Sequence, residues 1–327
     1  MNRRDAVLSL VVLGTTPFAA IAQPAGKMYH VGYLAAGGPP PDSSVPAPLR
    51  KALAELGYVE GKNVSYTGRW ADAKMERLPE LAGELVKLKV DAIVTLGWTA
   101  TAAAKKATAT LPIIMGGPAG DAVATGVVAS LARPGGNVTG LSDEASALSA
   151  KRMQILKEAV PKAKRITILW NADDQGMTVR YRDIDNAAKV LDVIVQPLGV
   201  REPNDFTVAF DAMTRQPPDA LFLVADALTF LNRKRVIDFA ATHRIPAMYE
   251  TGPYVQGGGL MSYGPSPEES LRVVARFVDR IFKGAKPGDL PVEQPTRYYL
   301  VINLKTAKSL GLTIPQSVLI RADQVIE

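Results

Sequence analysis

Short β-branched runs alternate with amphipathic segments along this chain, and the same order occurs twice. Apolar runs of this length between helical patterns are typical of βαβ units, in which helices connect parallel strands. In each half an Asp-Ala pair opens the third run, at Asp91 and Asp219, and a helical pattern and a proline-led run follow, at Pro112 and Pro246. The sequence therefore predicts an α/β fold of two similar Rossmann-like lobes with parallel sheets.

The ends of these runs give the predicted element boundaries. Predicted strands cover residues 30–36, 63–70, 90–97 and 111–117 in the first half, and 165–171, 192–198, 219–226 and 245–250 in the second. Predicted amphipathic helices cover residues 48–58, 75–89, 179–191 and 230–244. Open parallel sheets bind ligands beyond the carboxyl ends of their strands, so two facing lobes would surround one cleft with their strand-end loops.

The first 22 residues have the pattern of an export signal. Arg3 and Arg4 precede an apolar stretch, and the small residues Ala20 and Ala22 form a cleavage site. A membrane anchor needs about 20 strongly apolar residues, whereas glycine, threonine and proline dilute this segment. We predict that residues 1–22 are a signal peptide cleaved near Ala22, by the general secretory or the twin-arginine route, and that the mature chain is not inserted in a membrane.

The chain contains no cysteine. This excludes disulfides, thiolate metal sites and a lipid-modified N-terminal cysteine. An exported protein with neither anchor nor disulfide fits a Gram-negative periplasm, which is the predicted location. The net charge is +6, but no basic cluster is interleaved with aromatic residues, so nucleic-acid binding is not predicted.

Recognisable catalytic and cofactor motifs are absent from the sequence. Its two histidines, His30 and His243, lie neither in a metal-ligand spacing nor beside a nucleophile. The glycine-rich stretches lack the spacing of dinucleotide and phosphate-binding loops. Adjacent acids at Asp173 and Asp174 are typical of a solvated loop or a helix cap. We predict a protein without catalysis, metal or organic cofactor.

Trp98 stands at a strand end, where a tight turn usually has small residues. It precedes a predicted helix whose N-cap candidate is Thr99. The first backbone N–H groups of a helix attract an anion, and a neighbouring indole can stack on a flat or apolar ligand. We therefore predict that Trp98, Thr99 and Ala100 bind the ligand; simple packing of Trp98 and simple capping by Thr99 are the alternative interpretations.

The second half places carboxylates at the ends of two predicted strands, at Asp226 and Glu250. Two buried carboxylates need a cation or hydrogen-bond donors, so we expect a ligand with an ammonium or other donors beside them. The alternative is that each caps the following helix or pairs with a basic residue such as Arg233 or Arg235. The predicted ligand-binding set is completed by Ala36, Gly117, Asn171, Tyr254 and Tyr263, the tyrosines flanking the apolar body.

Four segments of the sequence resemble one family. They are LGYVEGKNV (residues 56–64), SLARPGGNVTGLSD (130–143), residues 151–171 and the C-terminal residues 302–327. These segments resemble the exported substrate-binding proteins of ABC importers in the tryptophan/tyrosine-binding-like family. The resemblance implies a type I periplasmic binding protein fold, whose lobes close on one small molecule and deliver it to a membrane permease with its ATPase.

The resemblance also implies a division of the chain into lobes joined by a three-segment hinge. We predict an N-terminal lobe of residues 27–140 plus 265–291 and a C-terminal lobe of residues 141–264 plus 292–327. The predicted function is that of a monomeric solute-binding component of an ABC importer, with a ligand that is amino-acid-like or an aromatic or apolar carboxylate. A ligand-binding sensor subunit is the alternative, and an α/β enzyme acting in the cleft is a further one.

Overall fold

The computed structural model describes residues 27–40, 45–117, 120–142 and 145–327. The predicted signal peptide lies outside the described residues. In the part that is described, no helix is long and apolar enough to cross a membrane.

The first lobe is built on a sheet of five described strands, all parallel, in the order β2-β1-β3-β4-β5. The strands are β1 (Tyr29–Ala35), β2 (Val64–Trp70), β3 (Ala92–Leu96), β4 (Ile113–Met115) and β5 (Val138–Gly140), and the helices are α1 (Ala47–Glu55), α2 (Leu78–Lys87) and α3 (Trp98–Ala107). A short 3-10 helix, Met75–Arg77, precedes α2. Both faces of this sheet are covered by buried apolar side chains.

The second lobe is built on a sheet of seven described strands, in the order β12-β11-β10-β9-β8-β6-β7. Its first elements are α4 (Ala145–Ala159), β6 (Arg165–Asn171), α5 (Gln175–Val190), β7 (Ile194–Val200), α6 (Asp205–Arg215), β8 (Ala220–Leu223), α7 (Ala227–Leu231), α8 (Arg233–Thr242), β9 (Ala247–Tyr249), α9 (Gly252–Gln256) and β10 (Met261–Gly264). Further along the chain come α10 (Pro267–Phe282), the 3-10 helix Pro287–Asp289, β11 (Tyr299–Asn303), α11 (Leu304–Ser309), α12 (Gln316–Leu319) and β12 (Gln324–Ile326). The predicted α/β fold of two lobes is confirmed.

The pairing of β10 with β11 is antiparallel and departs from the predicted all-parallel sheet. After β10 the chain leaves the second sheet and forms α10, whose residues Val274, Phe277 and Val278 pack in the first-lobe core with α1. It then returns from the first lobe to the second sheet. Because the chain both leaves and re-enters at the end of the sheet that faces the first lobe, β11 runs away from that end while β10 runs towards it.

The two lobes begin β1 and β6, each the second strand from one edge of its sheet, in the same way. In the first lobe, Asp91 Oδ2 accepts the backbone N–H of His30 at 2.8 Å, at the start of β1. In the second, Asp219 Oδ2 accepts the backbone N–H groups of Lys164 and Arg165, each at 2.8 Å, at the start of β6. Each aspartate thus closes off the amino end of the neighbouring strand, which explains why the Asp-Ala pair occurs in both halves.

Candidate functional site

A cavity of about 370 Å³ lies between the carboxyl ends of the two sheets. Its walls include residues that follow β1, β3 and β4 in the first lobe and β6, β8 and β9 in the second. Strand order reverses beside the cavity in both sheets, between β1 and β3 and between β6 and β8. This is the position at which open α/β sheets bind ligands.

The first-lobe wall of this cavity has no charged side chain among the described residues. It contains the aromatic residues Tyr33 and Trp70, whose ring centroids lie 5.1 Å apart. Ala36 and Gly117, both in the predicted set, also lie on it. This side of the cavity therefore offers apolar and aromatic surface.

Gly97 is the residue at which β3 turns into α3. Its φ of 87° lies in the left-handed region that glycine adopts at little cost, so the chain enters the helix at once and Trp98 is the first helical residue. The predicted N-cap, Thr99, therefore lies inside the first turn, and it lines the cavity together with Gly97. The Thr101 hydroxyl donates to the Gly97 carbonyl at 2.8 Å and holds this turn in place.

The side chains of Trp98 and Ala100 do not line the cavity. Trp98 is half-buried against the first-lobe core around Ile93 and Met115, and Ala100 is buried in the same core. The helix begins two residues earlier than predicted, and both side chains pack with the first-lobe core instead of lining the cavity. Of the three residues predicted in this turn, Thr99 is the one on the cavity wall.

Glu250 lies at the centre of a buried charge cluster on the second-lobe wall. Arg152 Nη1 donates to Glu250 Oε1 at 2.8 Å, and Arg180 Nη1 donates to Oε2 at 2.5 Å. The backbone N–H of Ala225 donates to the same Oε2 at 3.1 Å. All three charged side chains are at most 3% exposed.

Two guanidinium groups therefore neutralise the charge of Glu250. The sequence analysis predicted that this carboxylate binds an amine of the ligand, whereas in the structure it forms ion pairs with two arginines of the same lobe. Pairing with a basic residue was the alternative interpretation, but Arg233 and Arg235 are not the partners. Arg233 lies over the Phe230 ring and donates to the Phe230 carbonyl, and Arg235 donates to the Pro203 carbonyl.

Asp226 and Asp174 are the N-caps of two helices that begin at the cavity. Asp226 Oδ1 accepts the backbone N–H and the hydroxyl of Thr229, each at 2.9 Å, at the start of α7. Asp174 Oδ1 accepts the backbone N–H of Met177 at 3.1 Å, at the start of α5. Both aspartates also line the cavity. The helix-cap interpretation of the sequence is confirmed for Asp174, and Asp226 likewise caps the helix that follows it.

The buried side chain of Asn171 fixes the position of the Asp226 carboxyl group. Its Nδ2 donates to Asp226 Oδ2 at 2.6 Å, and its Oδ1 accepts the backbone N–H of Asp173 at 3.1 Å. The side chain is buried and is not part of the cavity wall. Asn171 thus positions a wall residue but does not line the cavity itself, whereas the sequence analysis predicted that it contacts the ligand.

Burial raises the pKa of both wall carboxyls, because removing a carboxylate from water disfavours its charged form. The pKa of Asp174 is raised to about 7 by burial and by the nearby charge of Asp226. The pKa of Asp226 is raised by burial, against the opposing effect of its hydrogen bonds from Thr229 and Asn171. A cation or further donors beside the pair would favour the ionised forms and oppose this effect of burial.

The two predicted tyrosines have different surroundings. Tyr254 lines the cavity, stacks on Tyr249 with ring centroids 5.1 Å apart, and has its hydroxyl 3.4 Å from that of Thr229. Tyr263 packs against the second-lobe core on the same strand face as Met261, as residues two apart in a strand do. Only its backbone carbonyl serves the site, by accepting Arg152 Nε at 2.6 Å.

Sequence reasoning missed many wall residues, among them Asp174, Tyr33, Trp70, Arg152 and Arg180. Tyr33 and Trp70 were inside or at the end of predicted strands, and the position of Trp70 at a strand end was a usable signal. Arg180 lies in a predicted amphipathic helix and Arg152 in a segment that carries the family resemblance, and neither was assigned to the site. Nothing in the sequence marks these arginines as buried, since their partner Glu250 is 98 and 70 residues away.

Two α/β lobes with one cavity between their strand ends define a protein that encloses a small molecule. Residues 44–326 match the family described as ABC transporter substrate binding protein. The chain belongs to this family, and its fold is that of a type I periplasmic binding protein.

Three relatives are similar over most of the chain. A tyrosine-binding protein of Clostridioides difficile (strain R20291) is 28% identical over 262 residues, which are 80% of this chain and 75% of the relative. An ABC domain from Streptococcus pneumonia solved in complex with L-Trp is 26% identical, with a TM-score of 0.85 over 92% of this chain and 100% of that one. A conserved domain protein of Vibrio cholerae is also 26% identical, with a TM-score of 0.85 over 91% of this chain and 100% of that one.

Proposed function

We propose that this protein is the periplasmic solute-binding component of an ABC importer and that its ligand is an aromatic α-amino acid bound as a zwitterion. It acts as a monomer, delivers the ligand unchanged to a permease with its ATPase, and performs no catalysis. The observation that carries the proposal is the contrast between an uncharged aromatic wall in one lobe and a wall with charges of both signs in the other. Such a cavity matches a molecule that is apolar at one end and doubly charged at the other.

The ammonium group of the ligand is assigned to Asp174 and Asp226. Both carboxyls line the cavity, and both have a pKa raised by burial. A cation placed between them would stabilise their ionised forms, whereas a second anion would be repelled. Glu250 is excluded from this role because Arg152 and Arg180 already hold its two oxygens.

The carboxylate of the ligand is assigned to the first turn of α3. Gly97 and Thr99 of this turn line the cavity, and a helix start presents unpaired N–H groups and partial positive charge. The helices α3 and α5 contact each other across the cleft, and Asp174 caps α5. An anion site and a cation site therefore lie close together, as the two charges of an α-amino acid require.

The aromatic body of the ligand is assigned to the first-lobe wall. Tyr33, Trp70 and Leu96 contribute apolar surface to this wall, and Phe230 and Tyr254 line the cavity from the second lobe. A cavity of about 370 Å³ is in the range that encloses a small organic molecule. The relatives that bind tyrosine and L-Trp support the same class of ligand for this chain.

Contacts between the lobes support binding by closure of the cleft. A Cβ atom on Gly120 would lie 3.0 Å from the Cα of Gly176, so these first- and second-lobe backbones meet directly. Ala73 and Met75 of the first lobe pack against the second-lobe core. Closure about the hinge segments that join the two lobes would bury the ligand between the two walls.

Calorimetric titration of the mature protein, residues 23–327, tests the proposal. The ligands are L-tryptophan, L-tyrosine, L-phenylalanine and L-leucine, together with indole-3-propionate, which lacks the amine, and tryptamine, which lacks the carboxylate. We expect at least one aromatic amino acid to bind and both truncated analogues to bind at least tenfold more weakly. Equal binding of indole-3-propionate would remove the ammonium assignment, and no binding of any aromatic amino acid would contradict the proposed ligand.

A further inference from the structure

The Tyr33 hydroxyl is buried and has no hydrogen-bond partner among the described residues. Tyr33 belongs to β1, is 0% exposed, and lines the cavity beside Trp70. The hydroxyls of Ser149 and Ser262 are also buried without a hydrogen-bond partner among the described residues, but neither serine lines the cavity. Tyr33 therefore combines an unsatisfied polar group with a place on the ligand-binding wall.

An unsatisfied buried hydroxyl is costly, and most buried polar groups in folded proteins have a partner. The cost disappears when a bound molecule supplies a donor or an acceptor at that point. Burial also raises the pKa of Tyr33, so its hydroxyl keeps the proton and can both donate and accept. The remainder of the wall around it is apolar, with Pro46, Trp70 and Leu271 as members.

The position of Tyr33 specifies which part of the ligand it meets. Tyr33 lies on the first-lobe wall, whereas the carboxyls assigned to the ammonium group, Asp174 and Asp226, lie on the second. It sits two residues before the end of β1, opposite Val94 of β3, and so deeper in the sheet than the turn at Gly97. A ligand whose charged groups lie at that turn and at α5 would reach Tyr33 with its side chain.

We infer that Tyr33 is a specificity-determining residue whose hydroxyl forms a hydrogen bond with a polar group on the aromatic side chain of the ligand. The cavity would then select an indole N–H or a phenol hydroxyl over an unsubstituted phenyl ring, that is, tryptophan or tyrosine over phenylalanine. This inference rests on the proposed binding of an aromatic amino acid. A phenyl ring would leave the Tyr33 hydroxyl unsatisfied in the closed cavity.

Calorimetric titration of the wild type and of Tyr33→Phe with L-tryptophan, L-tyrosine and L-phenylalanine tests the inference. We expect the wild type to prefer tryptophan or tyrosine to phenylalanine. Tyr33→Phe should weaken binding of the preferred amino acid by roughly three- to tenfold, the worth of one neutral hydrogen bond, and leave phenylalanine binding unchanged or tighter. The melting temperature of the ligand-free variant should not fall, because no protein hydrogen bond is lost.

Tyr58→Phe is the matched control. Its hydroxyl donates to Asp279 at 2.9 Å and it does not line the cavity, so this variant should lose some stability and keep the ligand preference of the wild type. Equal weakening of all three ligands by Tyr33→Phe, or wild-type binding of phenylalanine as tight as that of tryptophan and tyrosine, would overturn the inference while the proposed function stands. Absence of binding of all three ligands to the wild type would instead remove the proposed function, and the inference with it.

Discussion

The two lobes share their plan at the amino ends of their strands and differ at the carboxyl ends. The carboxylates of Asp91 and Asp219 accept backbone N–H groups at the starts of β1 and β6, respectively. At the opposite ends, the first lobe presents aromatic and glycine residues, whereas the second presents Arg152, Arg180 and three carboxyls. The features that build the sheet are the same in both lobes, and the features that contact a ligand have diverged, as expected when binding chemistry lies in strand-end loops.

Removing the central charge of the second-lobe wall should have the largest effect. Glu250→Gln keeps the shape of the side chain and removes the carboxylate that two buried arginines share. Loss of one partner of a buried ion pair costs about 3–5 kcal/mol of unfolding free energy, measurable by urea denaturation. The exposed pair of Arg276 and Glu293, 3.0 Å apart, provides the control, since Glu293→Gln should cost less than about 1 kcal/mol. Similar losses in the two variants would contradict the central role of Glu250.

Two tryptophans test which residues form the first-lobe wall. Trp98→Ala should lower the unfolding free energy by about 2–4 kcal/mol, because its indole packs in the core, and leave ligand affinity unchanged. Trp70→Ala should weaken the binding of an aromatic amino acid by about 1–3 kcal/mol, because its indole lines the cavity. Calorimetry and thermal melting on both variants separate the two roles. If only Trp98→Ala lost ligand affinity, Trp98 and not Trp70 would be the tryptophan that contacts the ligand.

Asp174→Asn tests whether a carboxylate on the second-lobe wall binds the ammonium group of the ligand. Asparagine caps a helix as well as aspartate does, so the change removes the charge and keeps α5. We expect affinity for an amino acid to fall by about 1–3 kcal/mol at pH 8, the range of a charge-assisted hydrogen bond. The ligand-free variant should be more stable than the wild type at that pH, because a raised aspartate pKa contributes stability at low pH that is lost as pH rises through about 7. An unchanged affinity would place the ammonium group elsewhere.

The same carboxyl predicts a pH dependence of binding in the wild type. Asp174 has a pKa of about 7, so it is mainly ionised above this pH and mainly protonated below it. An ammonium ligand favours the ionised form, and affinity should therefore be full above pH 7 and decrease by up to about tenfold per pH unit below it. Titrations between pH 5 and 9 should lose most of this slope in Asp174→Asn. A wild-type profile as flat as that of the variant would contradict the linkage.

The smallest expected effect comes from the contact at which the two lobes meet. Gly120→Ala places a Cβ 3.0 Å from Gly176 across the cleft, so it should disfavour closure and weaken binding by about 1–2 kcal/mol. Gly126→Ala is a matched control, since its φ of +70° nearly equals the +69° of Gly120 and nothing lies within 4 Å of its added Cβ. Small-angle scattering with saturating L-tryptophan should show a more open Gly120→Ala. Equal affinity losses in the two variants would mean that backbone strain, not contact between lobes, is responsible.

Much of the fold was predictable because its signals are local. Alternating runs specify the strands, and Asp91 and Asp219 mark equivalent points in the two halves. The site was less predictable, because its charges form pairs between distant segments: Glu250 meets Arg152 and Arg180 only in the folded lobe. The turn at Gly97 illustrates a second limit, since its positive φ starts α3 two residues early and Trp98 packs against the core instead of lining the cavity as predicted.

The placement of α10 sets the order in which the chain can complete its domains. Val274, Phe277 and Val278 belong to the first-lobe core, yet they are synthesised after most of the second lobe. A nascent chain that ends at β10 contains all five described strands of the first sheet, but one of its faces has only part of its cover, since α1 is present and α10 is not. The first lobe therefore stays incomplete until most of the polypeptide has left the ribosome, so the two lobes of this chain cannot fold strictly one after the other in sequence order.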